Sequence, residues 1–143
     1  MHNLYPVALH YMPLAEAFGL LVSQWQASQG IECRLRVGEH LPALPGASRT
    51  HLYRLLQEAL TNVARHAGAS QVRVRLQRST KGLRLFIRDN GCGGCQPQRP
   101  GVGLHSMAER ARSLGGELRI FSRPGGGWAL ALNIPQELSL IHI

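Results

Sequence analysis

Aspartate occurs once in these 143 residues, at Asp89, and lysine once, at Lys81. One aspartate cannot form an aspartic catalytic dyad or a metal cage built on several Asp. A lone lysine that follows no glycine-rich loop excludes the phosphate-binding P-loop. Cys33, Cys92 and Cys95 are too few, and odd in number, for a disulfide framework, so a reducing compartment fits. Cys92-x-x-Cys95 has no second pair at zinc spacing and reads as small loop residues. Aromatic residues are only 6% and do not interleave with the arginines as a base-stacking platform requires, so no direct nucleic-acid partner is expected. Apolar runs such as FGLLV and WALAL fall far short of the roughly 18 to 20 residues that span a bilayer, and no apolar leader is evident. A chain that does not span a membrane, working in the cytoplasm, is the expectation. No G-x-S-x-G elbow is present, and GVGLHS lacks the third glycine of a dinucleotide fingerprint.

What the chain does have is arginine, fifteen of them, giving a net charge of +8. Many alternate with apolar residues, as in VRVRLQR and LRLFIR, which is how the solvent face of a sheet reads. Such a surface attracts polyanions without choosing among them. The length and an apolar fraction of 44% fit one core and one domain. Periodicity predicts a helix from Pro13 to Gly30, a strand over 31–37, and a long helix capped by Ser48 with Leu52, Leu55, Leu56, Ala59, Leu60 and Val63 inward. A hairpin of 72–78 and 83–88 follows, then a helix from Leu104 to Leu114, then a second hairpin of ELRIFS and WALALNI. Helices interspersed among hairpins predict an α/β two-layer sandwich: a mixed, mostly antiparallel sheet with three helices on one face.

Two groups of residues carry chemistry. Glu58, Asn62 and Arg65 share a narrow stripe of the long helix opposite its apolar face, with His66 at the edge. A carboxylate and an amide can hold Mg²⁺, and Arg and His can meet phosphate oxygens. Alone, the stripe reads better as an ordinary solvated face. The second group is the run DNGCGGCQPQRPGVGL. Asp89 at a strand end can accept from an exocyclic amine such as adenine N6, and Gly91 and Gly93 let the backbone turn beside a flat ring. Gly101 and Gly103 precede a helix, whose N-terminus suits an anion.

In this order LLQEALTNVARHAGA, DNGCG, GVGLHSMAERARSLGG and LNIP resemble the N box, two glycine boxes and last strand of sensor histidine kinase ATP-binding domains. The resemblance is to the nitrate-sensor and hexose-phosphate-sensor subfamily, within the superfamily shared with DNA gyrase, the large heat-shock chaperone and mismatch-repair ATPases. It spans about residues 4 to 135 and implies the Bergerat ATP-binding fold. By this resemblance Asp89 reads adenine, Asn62 holds Mg²⁺ with Glu58 beside it, and both are catalytic. Arg65 and His66 face the phosphates, and Gly91, Gly93, Gly101, Val102, Gly103 and Leu104 frame ATP. The segment LYPVALHYMPLAEAF looks like the subfamily's junction segment, from which Tyr5, His10 and Pro13 depart; 1–12 is expected to be the junction and 13–136 the ATPase domain. Trp128 stands where the family usually has a threonine beside the adenine.

The tail Leu138 to Ile143 resembles the translation of a transposon-end sequencing adapter, so 137–143 is expected to be non-native. Nothing matches the family's phosphoacceptor segment, and His10 lacks its charged surround; the acceptor is expected on a dimerisation hairpin outside this chain. The implied function is transfer of the ATP γ-phosphoryl to that histidine in two-component signalling. A response regulator is the further partner, and the parent kinase is expected to be dimeric and anchored in the inner membrane. Another enzyme of the superfamily, such as an anti-sigma serine kinase, and a non-catalytic nucleotide-binding module are the competing readings.

Overall fold

The computed structural model describes residues 12–91, 102–123 and 127–136. The junction up to residue 11 with Tyr5 and His10, the loop residues Cys92, Gly93, Cys95 and Gly101, and the tail from Leu138 lie outside them. So do the side chains of His66 and Val102. The chain runs α1 (Leu14–Gln29), β1 (Glu32–Val37), α2 (Gly46–Asn62), one π-helical turn (Val63–Ala67), β2 (Gln71–Arg78) and β3 (Gly82–Asp89). It continues as α3 (Val102–Ser113), β4 (Glu117–Arg123) and β5 (Gly127–Pro135).

Each helix buries the stripe its periodicity announces, but none begins where the pattern predicts, α3 starting at Val102 rather than Leu104. Pro13 is the residue before α1, not its first: its carbonyl receives the N–H groups of Glu16 and Ala17 at 3.0 Å. Likewise α2 starts ahead of Ser48, with the Pro45 carbonyl accepting from Arg49 N–H at 3.0 Å and no side-chain cap. A proline has no N–H to leave unpaired and a φ already suited to helix entry, so it displaces the serine as the starting point. α1 stops at Gly30, whose left-handed φ of 71° lets its N–H close on the Gln26 carbonyl.

The five strands form one sheet in the order β1-β2-β3-β5-β4. β1 lies parallel to β2, and the other pairings are antiparallel. On one face Val72, Val74, Leu76, Leu83, Leu85, Ile87, Leu130, Leu132 and Ile134 are buried. They share a single core with Phe18 of α1, Leu52, Leu55, Leu56 and Leu60 of α2, and Met107 of α3. Burying each of these large side chains contributes about 1.5–3 kcal/mol, and all three helices cover this one face. Cys33 points into the same core, where burial pushes its thiol up to about 11 and makes it a poor nucleophile. The opposite face is open. Arg34, Arg36, Arg73, Arg75, Arg84, Arg88 and Arg119 project from it. Phe86 and Phe121, scattered in the sequence, are brought among them by the register.

That register also decides where chemistry can gather. Val72, near the start of β2, lies opposite Asp89 at the end of β3, while Arg88 pairs with Ala129 near the start of β5. α2 leads through its π turn directly into β2, so its C-terminus is at this same end. α3 runs the other way, since β4 begins at Glu117 opposite Asn133 near the far end of β5. One end of the sandwich therefore collects Asn62, the π turn, Asp89, Gly91, the N-terminus of α3 and Gly127.

Candidate functional site

Asp89 is the one buried charged side chain among the described residues, 3% exposed. Its Oδ1 accepts from the backbone N–H of Gly91 at 2.7 Å and of Trp128 at 3.3 Å. Oδ2 is buried and has no partner among the described residues. Burial pushes the carboxyl above its ordinary value, against the pull of the Gly91 and Trp128 N–H groups toward the charged form. A buried acceptor without a donor is costly, and its retention calls for an explanation.

The frame around Asp89 is rigid. Asn90 Oδ1 accepts from the N–H groups of Ser70 and Gln71, both at 3.0 Å, and its Nδ2 donates to Ser70 Oγ at 3.1 Å. This ties the glycine turn to the start of β2. On the other side Gly127, at φ 86°, approaches so closely that a Cβ there would meet the Asp89 carbonyl oxygen at 2.4 Å. Only glycine lets β5 bring the Trp128 N–H onto the carboxylate. What residue 128 offers Asp89 is its backbone N–H, which a threonine there would offer as well.

The helical residues fall out differently from the expected stripe. Glu58 is not on a solvated surface opposite the core but beneath α3. Its Oε2 accepts from Ser106 Oγ at 2.8 Å and from Arg110 Nε at 3.2 Å, and its Oε1 is buried without a partner among the described residues. His51 Nδ1 lies 3.4 Å from Arg110 Nη1. Asn62, one turn beyond Glu58, is half-buried and makes no side-chain hydrogen bond among the described residues. The π turn starts at the next residue, and its wider i→i+5 winding carries Arg65 off the line that α-helical spacing predicts; Arg65 is exposed. The backbone of His66 belongs to this turn. α3 begins at Val102, so Gly103 does not precede the helix but lies in its first turn, with half-buried Leu104 after it. First-turn N–H groups have no partner within the helix, so they remain available to an anion.

The structure thus brings Asp89, Gly91, Asn62 and the start of α3 to one end, with Glu58 a turn deeper. Four contributors escaped the sequence reading. Arg110 and Ser106 lie at i, i+4 on α3, a spacing that marks a shared face without naming what it meets. Asn90 bonds Ser70 and Gln71, some twenty residues away, a pairing that no local pattern announces. Gly127 is one of three consecutive glycines, and nothing local distinguishes it.

Residues 47–138 match the family described as histidine kinase-, DNA gyrase B- and HSP90-like ATPase. The chain belongs to this ATPase family. The domain is 35% identical over 135 residues to the sensor histidine kinase LiaS of Bacillus subtilis, covering 93% of this chain and 37% of that one. Against the nitrate/nitrite sensor protein NarQ of Escherichia coli it is 38% identical over 120 residues, covering 82% of this chain and 20% of NarQ. The ATPase domain therefore spans well under half of the relatives it matches. Its fold matches the ATP binding domain of PrrB from Mycobacterium tuberculosis, with a TM-score of 0.66 at 22% identity, over 87% of this chain and 94% of that one. It is also similar to the blue-light activated histidine kinase of Erythrobacter litoralis, with a TM-score of 0.71 at 22% identity over 91% of this chain and 44% of that one. Among the described residues of the ATPase domain, no helix is long and apolar enough to cross a membrane.

Proposed function

We propose that this domain binds Mg-ATP and donates the γ-phosphoryl to a histidine on a separate dimerisation domain of its parent kinase, which signals to a response regulator from the cytoplasmic side of the membrane. The observation that supports the reading is Asp89 Oδ2, a buried acceptor beside a glycine turn with no donor among the described residues. An adenine amino group is a donor of the kind it lacks. By the family resemblance Gly91 and Gly93 would make room for the ring, and Gly101, Val102, Gly103 and Leu104 would offer backbone to the phosphates, with Arg65 and His66 as the phosphate-side residues.

The donor set fits Mg²⁺ in the way a nucleotide-bound cation needs. Among the described residues no cluster of three His, Cys, Asp or Glu side chains is present. Mg²⁺ is commonly held by only one or two protein oxygens together with phosphate oxygens. The Asn62 amide and the unpartnered Glu58 Oε1 would be those protein oxygens. When bound, the ion would neutralise charge on the transferring phosphoryl. Arg110 and Ser106 hold Glu58 by its other oxygen, which fixes the direction of the free one.

Asn62→Ala is expected to remove the Mg²⁺-dependent part of ATP binding and to leave the circular dichroism unchanged, since Asn62 is outside the core. Calorimetric titration with and without Mg²⁺ checks it; an equal Mg²⁺ enhancement in both proteins would reduce Asn62 to a helix-surface residue. For transfer, catalysis is chiefly positioning. Incubated with labelled ATP, the chain is expected to gain no acid-labile phosphate alone, yet slowly label a separately made dimerisation hairpin of its parent kinase. Self-labelling that disappears when His10 or His105 is changed would place the acceptor inside this chain instead.

A further inference from the structure

The open face of the sheet has two halves of different character. On β1, β2 and β3 the register stacks Arg34, Arg73 and Arg88 directly opposite one another, and Arg36 opposite Arg75. Neighbouring strands are about 4.8 Å apart, and like charges directly opposite are destabilising. Among the described residues two carboxylates lie on this face, Glu32 and Glu117, and each is taken by an arginine of its own strand, Arg34 at 3.0 Å and Arg119 at 3.3 Å. Arg36, Arg73, Arg75, Arg84 and Arg88 have no carboxylate partner among the described residues. Edge protection, a common reason for charge on a sheet, does not apply to the last four, because β2 and β3 are interior strands.

The other half is apolar and recessed. Ala131 of β5 lies opposite Phe86 on one side and Arg119 on the other, and Ala129 lies opposite Arg88 and Phe121. Ala131 is only 4% exposed, whereas Phe121 stands 53% exposed. Small residues thus floor a trough along β5 between phenylalanines on β3 and β4. A shallow hollow of about 500 Å³ bordered by Arg88, Phe121 and Ala129 opens on it, and a second of about 220 Å³ lies against Arg75, Arg84 and Phe86.

We propose that this face docks an acidic amphipathic helix of a partner protein, its apolar stripe along Ala129 and Ala131 and its carboxylates over Arg73, Arg75, Arg84 and Arg88. A helix presents a ridge, which fits a trough, and a second helical layer on a sheet is a stable packing. Guanidinium forks match carboxylates bidentately. A bilayer would need the apolar part to protrude, and here its floor is recessed. Stacked bases would need rings in series, and the two phenylalanines are separated by an alanine strand. The inference is independent of the ATP site, which lies on the helical side.

The test is fluorescence anisotropy with a labelled peptide of about 18 residues, ~27 Å of helix, carrying leucine at i, i+3, i+4 and i+7 and glutamate elsewhere. Beside it run a scrambled peptide of the same composition, phosphatidylglycerol-containing vesicles and a single-stranded oligonucleotide. The patterned peptide is expected to bind about tenfold more tightly than the scrambled one. Arg73→Glu with Arg84→Glu, and separately Phe121→Ser, should each weaken it about tenfold or more, with ATP affinity unchanged as the check on folding. Equal binding of the scrambled peptide, binding of vesicles or oligonucleotide but not of the patterned peptide, or indifference to Phe121→Ser overturns the proposal.

Discussion

Asp89→Asn is expected to weaken ATP binding about tenfold or more, because replacing a buried acceptor by a donor costs on the order of 1–3 kcal/mol when the ligand presents a donor. The fold should not suffer. Asn keeps an oxygen for the Gly91 and Trp128 N–H groups, and the buried charge disappears. Burial raises the folded-state pKa of Asp89 above its unfolded value. The charged form therefore costs stability at neutral pH, and that cost fades as pH falls through the folded-state pKa. The variant should accordingly be at least as stable as the parent at pH 7 and should lack the parent's relative gain on the acid side. Urea unfolding across that range measures the stability, and calorimetry the affinity. GTP, with a carbonyl where adenine has its amine, should bind poorly to the parent. Unchanged ATP affinity in the variant would remove Asp89 from the adenine site.

Gly127→Ala should be the most damaging small substitution at this end of the molecule. Its φ of 86° strains any side chain, and the added Cβ would sit 2.4 Å from the Asp89 carbonyl oxygen and 3.6 Å from Oδ1. Backbone cannot yield as a flexible side chain does, so β3 and β5 must part, taking the Trp128 N–H away from Asp89. The expected cost is about 2–4 kcal/mol, with ATP affinity falling alongside. Gly30→Ala is the control. Gly30 has a similar φ of 71° but open space around it, so only strain of about 1–2 kcal/mol is expected, with no effect on ATP. Matched, small losses in both variants would mean that the approach of Gly127 to Asp89 is loose.

These two positions mark the limits of reading the chain without its fold. The elements were legible because burial follows local period: the alternation in VRVRLQR and LRLFIR became two strands with valine, leucine and isoleucine inward. Asp89 was legible because its type is unique in the chain. Strand order was not, since nothing in the final hairpin states that β5, not β4, joins β3. Glu58 looked solvated because its own helix leaves it off the apolar stripe; what covers it is α3, a neighbour that helical periodicity cannot see. Arg65 followed α-helical arithmetic that the π turn interrupts one residue after Asn62. Gly127 required knowing which backbone comes near it.

The bond between Glu58 and the Ser106–Arg110 pair has an engineering consequence. It fastens α3 to α2 a single turn after α3 begins, while Asp89 is fastened into the sheet by its two neighbours. The connection beyond Gly91 thus leaves from a turn held by Asn90 and Asp89 and arrives at a helix held by Glu58. Closing a longer connection between fixed ends costs little, roughly 0.6 kcal/mol for each doubling of its length. A reporter peptide spliced in between residues 94 and 100, clear of the glycines assigned to ATP, is therefore expected to cost the fold little.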